Sequence, residues 1–178
     1  MTALLILLGA FAWTLAEYLL HRFDGHGMRG KTPFSRNHLR HHADPTWFAE
    51  PWKKAMLAVG VLGPLFGGLT LALGLAVALP FTGAFTATWL AYEWIHRRIH
   101  THPPRGPYGR WARRHHLLHH HRSPRRNHGV TSPLWDLVFG TWDRTPVVVL
   151  SRKQAPAWLL DDAGEIRTDL AAFEGSRR

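Results

Sequence analysis

Residues 55–100, AMLAVGVLGPLFGGLTLALGLAVALPFTGAFTATWLAYEWIHRRIH, decide the fold. From Ala55 to Ile95 the only charge is Glu93. A bilayer crossing takes about 20 apolar residues, so this stretch is too long for one span and right for two. Pro80-Phe-Thr-Gly83 is the natural turn between them, which predicts helices near 53–78 and 82–100. Gly60, Gly63, Gly67 and Gly68 give the first helix a small-residue face suited to close packing. Pro64 is placed to kink it. The second helix ends on His96 and His100, four residues apart and therefore on one face.

A third apolar stretch precedes these two. Ala3 to Leu20 is interrupted only by Thr14 and Glu17 and runs straight into His21. A signal peptide is the rival reading, but there is no basic leader and no small-residue cleavage site, so a retained span is expected. Three spans result, and a fourth is left to a partner subunit or to a longer N-terminus. The turn at 80–83 has no charge, and the basic residues of 1–144 all fall on the opposite side of the membrane. By the positive-inside rule that side is the cytoplasm.

The net charge is +10. Residues 1–144 hold 17 Lys/Arg against 7 Asp/Glu, and residues 145–178 hold 5 of each, so the basic character belongs to the first segment alone. A division follows: a membrane-embedded domain at 1–144 and a polar tail at 145–178, to which the residues assign no role. With no cysteine, neither a disulfide framework nor a thiolate metal site is available. Trp47, Phe48 and Trp52 have the character of an aromatic belt at headgroup level. Prolines at 103, 104, 107 and 124 bound a basic helix near 108–122. In it Trp111, Leu117 and Leu118 are expected to dip into the interface while Arg110, Arg113 and Arg114 meet lipid phosphates. Residues 127–142 read as a turn and a short apolar helix containing Asp136.

Ten histidines sit at or just beyond the ends of these stretches: His21 and His26; His38, His41 and His42; His96 and His100; His116, His119 and His120. Positions i, i+3 and i+4 share a helix face, so eight of them can point inward from three helices. His21 and His26, five apart, fall about 140° from each other on a continuous α-helix. Gly25 and Gly27 suggest that the helix stops near Asp24 and that His26 swings back from a loop. His115 competes with His116 for the last cluster; 116/119/120 is preferred because it repeats the 38/41/42 spacing. His102, His115, His121 and His128 are read as bystanders.

Neutral imidazole is a good ligand for iron, zinc, copper or nickel, and ten suit two ions. Two dications need nearby negative charge. Glu17, one turn before His21, and Glu93, three residues before His96, are expected to orient imidazole N–H groups from behind the ligands. Asp136 is a further candidate for this supporting role. A metal transporter or a non-catalytic membrane metal-binding protein is the alternative. Transport sites, however, lie near the midplane along polar paths, and these spans have almost no polar residues.

The order His-x4-His, His-x2-His-His, His-x3-His, His-x2-His-His, with Gly129-Val-Thr-Ser-Pro-Leu-Trp-Asp-Leu-Val-Phe-Gly-Thr141 after it, resembles the fatty acid hydroxylase superfamily of sterol desaturases and fatty acid 2-hydroxylases. The likeness covers roughly 15–144. It implies an all-α integral membrane protein whose spans carry a cytosolic helical cap and a histidine-rich dimetal site. The implied activity is hydroxylation or desaturation of a lipid C–H bond with molecular oxygen and two external electrons. The implied ions are two irons, with zinc able to replace them, held by the ten histidines above. A separate electron donor of ferredoxin or cytochrome b5 type, anionic lipid headgroups and a homo-oligomer are the expected partners; nucleic acid is not.

Overall fold

The computed structural model describes residues 1–167, 169–170 and 172–175. Helix α1 (Thr2–Leu19) passes without a break into a π-helical segment, Leu20–Gly27. Then come α2 (Pro33–Ala43), α3 (Pro51–Leu73), α4 (Leu75–Thr101), α5 (Gly106–His121) and α6 (Leu134–Val138). Strands β1 (Val148–Leu150) and β2 (Phe173–Gly175) pair in parallel, Val148 opposite Phe173. Three helical stretches are long and apolar enough to cross a membrane: Thr2–Gly27, Pro51–Leu73 and Leu75–Thr101.

The reversal between the last two is at Gly74, not at 80–83. Gly74 has φ 83 and ψ 165, a region open essentially to glycine. Pro80 instead lies inside α4. Backbone conformation accounts for the position: the reversal uses a positive φ, which glycine adopts without strain, and Gly74 supplies it. Gly74→Ala is expected to cost about 1–3 kcal/mol through this backbone alone, measurable as a lowered melting temperature in detergent.

α1 lies along α4. Gly9 gives the closest approach, since a Cβ there would stand 2.2 Å from the Phe81 carbonyl oxygen. One helical turn on, Trp13 is 6% exposed and packs edge-on to Phe85 at 5.3 Å and against Tyr92 at 5.5 Å. Such aromatic pairs add about 0.5–1.5 kcal/mol each beyond burial. The small-residue face of α3 has no close neighbour among the described residues: a Cβ at Gly60, Gly63, Gly67 or Gly68 would meet nothing within 4 Å.

The polar tail folds back onto α5. Leu117, Leu118, Val148, Leu150, Trp158, Leu159 and Phe173 form one apolar cluster. Leu117 and Leu118 therefore face the tail, not the membrane interface. Arg113 is also turned inward, donating to the carbonyls of Arg98, His102 and Gly109. The Trp158 indole donates to the Ile99 carbonyl at 3.0 Å, and the Arg113 guanidinium stacks on its ring at 5.5 Å. The tail thus clamps the end of α4 beside His100.

Candidate metal centre

Helix ends deliver the imidazoles. Thr32 caps α2, accepting from the Ser35 N–H at 3.0 Å, and Pro33 begins it at a position where its missing N–H costs nothing. Pro107 stands in the first turn of α5 in the same way. The spacing of 38/41/42 and of 116/119/120 then sets three rings along one side of each helix. His21 and His26 reach a common face by another route. In a π-helix the hydrogen bonds run i→i+5 and each turn is wider than in an α-helix, so i and i+5 come much nearer to one face. Their rings stand 5.4 Å apart. The helix does not stop at Asp24, and His26 projects from the π-helix itself.

The ten rings divide into two groups of five. His21, His26, His38, His42 and His119 form the first; His41, His96, His100, His116 and His120 form the second. Within each group the nitrogens lie within 4.8 Å of one another. α2 and α5 both feed both groups. The first takes His38 and His42 from α2 and His119 from α5; the second takes His41 from α2 and His116 and His120 from α5. His42 and His120 stack face to face across the divide, 4.0 Å between centroids.

Hydrogen bonds fix which nitrogen points inward. Nδ1 of His21 donates to the His128 carbonyl at 2.5 Å, Nδ1 of His41 to the Trp47 carbonyl at 2.9 Å, and Nδ1 of His119 to the Arg126 carbonyl at 2.7 Å. A carbonyl only accepts, so each of these neutral rings carries its proton on Nδ1 and presents a bare Nε2 lone pair to its group. Burial holds the rings neutral: it brings His41 down to about 4 and His42 to about 3, and holds His38, His116, His119 and His120 well below the ordinary imidazole value. Neighbouring imidazoles add to the effect on His42.

The lone pairs converge. Nε2–Nε2 separations are 3.0 Å for His26–His119, 2.8 Å for His26–His38 and 3.1 Å for His42–His119 in the first group. In the second they are 3.1 Å for His41–His100, 3.0 Å for His96–His116 and 3.0 Å for His100–His116. Hydrogen bonding alone leaves this arrangement unsatisfied: Nε2 of His21 is buried without a partner among the described residues, as are both ring nitrogens of His120. Metal–imidazole bonds of about 2.0–2.1 Å set adjacent ligands about 3 Å apart at right angles. The donor set fits one ion per group.

The acids act elsewhere. Glu17 accepts from the N–H groups of Val130 and Thr131, at 2.5 and 2.9 Å, and from the Thr131 hydroxyl. Glu93 pairs with Lys54. Neither has an imidazole partner among the described residues, which corrects the expectation that they orient ring N–H groups. The reason is supply and demand: backbone carbonyls fill that role, and the carboxylates are taken by backbone N–H groups and a lysine. Asp136 accepts from the N–H of His128 and of Gly129, both at 2.8 Å, from Thr141 Oγ1 at 2.7 Å and from His115 Nε2 at 3.3 Å. It anchors the loop whose His128 carbonyl holds His21.

His115 and His128 are therefore structural partners of the site, not bystanders, and the three carbonyl acceptors have no signature in residue type. Two of the three expected belt aromatics also have partners in the chain. Phe48 packs on His41 at 5.1 Å, and Arg40 stacks on Trp47, which leaves Trp52 as the member that is 58% exposed.

Known proteins resemble this chain in sequence and in fold. The fatty acid hydroxylase family matches residues 6–141. A dihydroceramide fatty acyl 2-hydroxylase of Arabidopsis thaliana is 33% identical over 147 residues, covering 78% of this chain and 60% of its own length. The ceramide very long chain fatty acid hydroxylase of Saccharomyces cerevisiae is 30% identical, over 78% of this chain and 38% of its own. The solved structure of full-length scs7p, in which only the hydroxylase domain is visible, superposes with a TM-score of 0.63 at 27% identity, over 80% of this chain and 56% of that one. The chain thus spans about three fifths, or less, of the length of these relatives. A match over most of its residues, on a fold with the same helical plan, makes this chain a member of the fatty acid hydroxylase family.

Proposed function

We propose that this protein is a membrane lipid hydroxylase that oxidises a fatty acyl chain near its polar end. The division of ten inward-facing imidazoles into two groups of five carries the reading. The ten histidines are the proposed ligands of two irons, which zinc can replace in purified protein. When bound, the irons supply activation of molecular oxygen at the expense of two electrons from a separate donor. The chain's own groups hold the ligands. Carbonyls of His128, Trp47 and Arg126 fix the tautomers of His21, His41 and His119. Asp136 and Glu17 position the 128–131 loop behind them.

Depth supports the choice of carbon. His96 and His100 are interleaved with Arg97 and Arg98, so the site stands where the spans meet the headgroups. A chain entering from the bilayer then presents carbons close to its carboxyl or amide end. The relatives named for 2-hydroxylation of fatty acyl chains agree with that position. The basic residues on this side support a cytoplasmic orientation by the positive-inside rule, and the same residues suit anionic headgroups and an acidic electron donor.

The test pairs metal analysis of the purified chain with lipid mass spectrometry of cells expressing it. The expected product is a lipid heavier by one oxygen; a lipid lighter by two hydrogens indicates desaturation instead. His119→Ala and His41→Ala each remove one ligand, from the first and second group respectively. Each is expected to lower bound metal and abolish the product. Full metal content and unchanged turnover in both variants would refute the ligand assignment.

A further inference from the structure

We propose that residues 130–141 form a re-entrant segment, dipping into the bilayer hydrocarbon alongside α1, with the outer face of α6 against lipid acyl chains. The segment's contacts descend α1 and then return. The His128 carbonyl meets His21, the Val130 and Thr131 N–H groups meet Glu17, and the Trp135 indole donates to Thr14 Oγ1 at 2.9 Å while its ring packs on Phe11 at 5.4 Å. On the way back Phe139 stacks on Tyr18 at 5.2 Å, and Thr141 Oγ1 meets the Tyr18 hydroxyl at 2.9 Å. At 1.5 Å per residue, Thr14 lies about 10 Å and Phe11 about 15 Å deeper than His21. α4 gives the same depth independently. Trp13, next to Thr14, packs on Trp89 at 6.5 Å, and Trp89 is about 12 Å inside Arg97 on the same scale.

Two further observations fit hydrocarbon rather than water. The face of α6 turned away from α1 exposes Leu137 by 54% and Val138 by 59%, with Leu134 and Phe139 beside them. Leu7, Leu8 and Phe11 of the span it packs on are exposed too, and Phe11 touches Trp135 of α6. Most N–H groups of the non-helical backbone are bonded as well. The N–H groups of residues 127 to 131 are all bonded, as are those of 134 and of 139 to 142. Irregular backbone survives at membrane depth only when its polar groups find partners. Two carboxylates, Glu17 and Asp136, provide four of these acceptor contacts. This accounts for a glutamate inside the first span that touches no imidazole among the described residues.

The chain lacks cysteine, so single cysteines can be labelled cleanly. Leu137→Cys and Val138→Cys carry a nitroxide in phosphatidylcholine nanodiscs, with Leu7→Cys as the span control and Arg125→Cys as the loop control. Collision with oxygen and with a water-soluble nickel chelate is read by electron paramagnetic resonance. The labels at 137 and 138 are expected to match position 7, with an oxygen-to-nickel accessibility ratio severalfold above that at 125. Nickel accessibility equal to that at 125 would put α6 in water. Low accessibility to both reagents would put it against protein, a second copy included. Either result overturns the proposal.

Discussion

Replacing Gly9 with leucine is expected to part α1 from α4 and to strip the protein of bound metal. The obstacle is backbone: a Cβ at position 9 would sit 2.2 Å from the Phe81 carbonyl oxygen, 3.0 Å from its carbon and 3.2 Å from its Cα. No rotamer relieves that, so one helix has to translate. Overpacking in a close-packed region costs about 1–3 kcal/mol; leucine at a backbone contact belongs at or above the upper end, and alanine nearer the lower. The damage reaches the site because α1 leads directly to His21 while α4 carries His96 and His100. Both variants should melt earlier in detergent, with metal content falling further for leucine than for alanine. A Gly9→Leu protein that melted and bound metal like the parent would rule out the close crossing.

Asp136→Asn is expected to be nearly as damaging, although the change is one of atom type and not of shape. Each carboxylate oxygen accepts a backbone N–H: Oδ1 from His128, Oδ2 from Gly129. Asparagine has one acceptor oxygen, so whichever way the amide turns, its NH2 faces one of those two buried donors. Thr141 and His115 can adjust, by hydroxyl rotation and by tautomer, but a peptide N–H cannot. Breaking a buried charged network by altering one member costs about 3–5 kcal/mol. The His128 carbonyl that holds His21 depends on this loop, so the first group should lose its ion before the second. Metal stoichiometry against chelator concentration would reveal that order. Equal loss from both groups would mean that the loop does not support His21 in particular.

Much of the site is legible from spacing. The 38/41/42 and 116/119/120 patterns and the 96/100 pair locate eight rings on helix faces because the α-helical repeat is fixed. Three features escape that arithmetic. The π-helix between Leu20 and Gly27 changes the local repeat, so the separation of His21 and His26 misleads when read at 100° per residue. The partition into two groups depends on how α2 and α5 face each other, which no local pattern encodes. The acceptors behind His21, His41 and His119 are main-chain carbonyls, identical for every residue type. The tail was opaque for a related reason. Its apolar contacts come from scattered positions, Val148, Leu150, Trp158 and Phe173, which become a surface only once β1 and β2 pair.

The hairpin of α3 and α4 bears on how the chain enters its membrane. A single glycine reverses it, with Leu73 and Leu75 on either side, and no Asp, Glu, Lys or Arg lies between Lys54 and Glu93. Nothing hydrophilic has to be carried across the bilayer to complete these two crossings. The pair can partition from the translocon or the surface as one apolar wedge, while the arginines and histidines at its open end never have to cross the hydrocarbon.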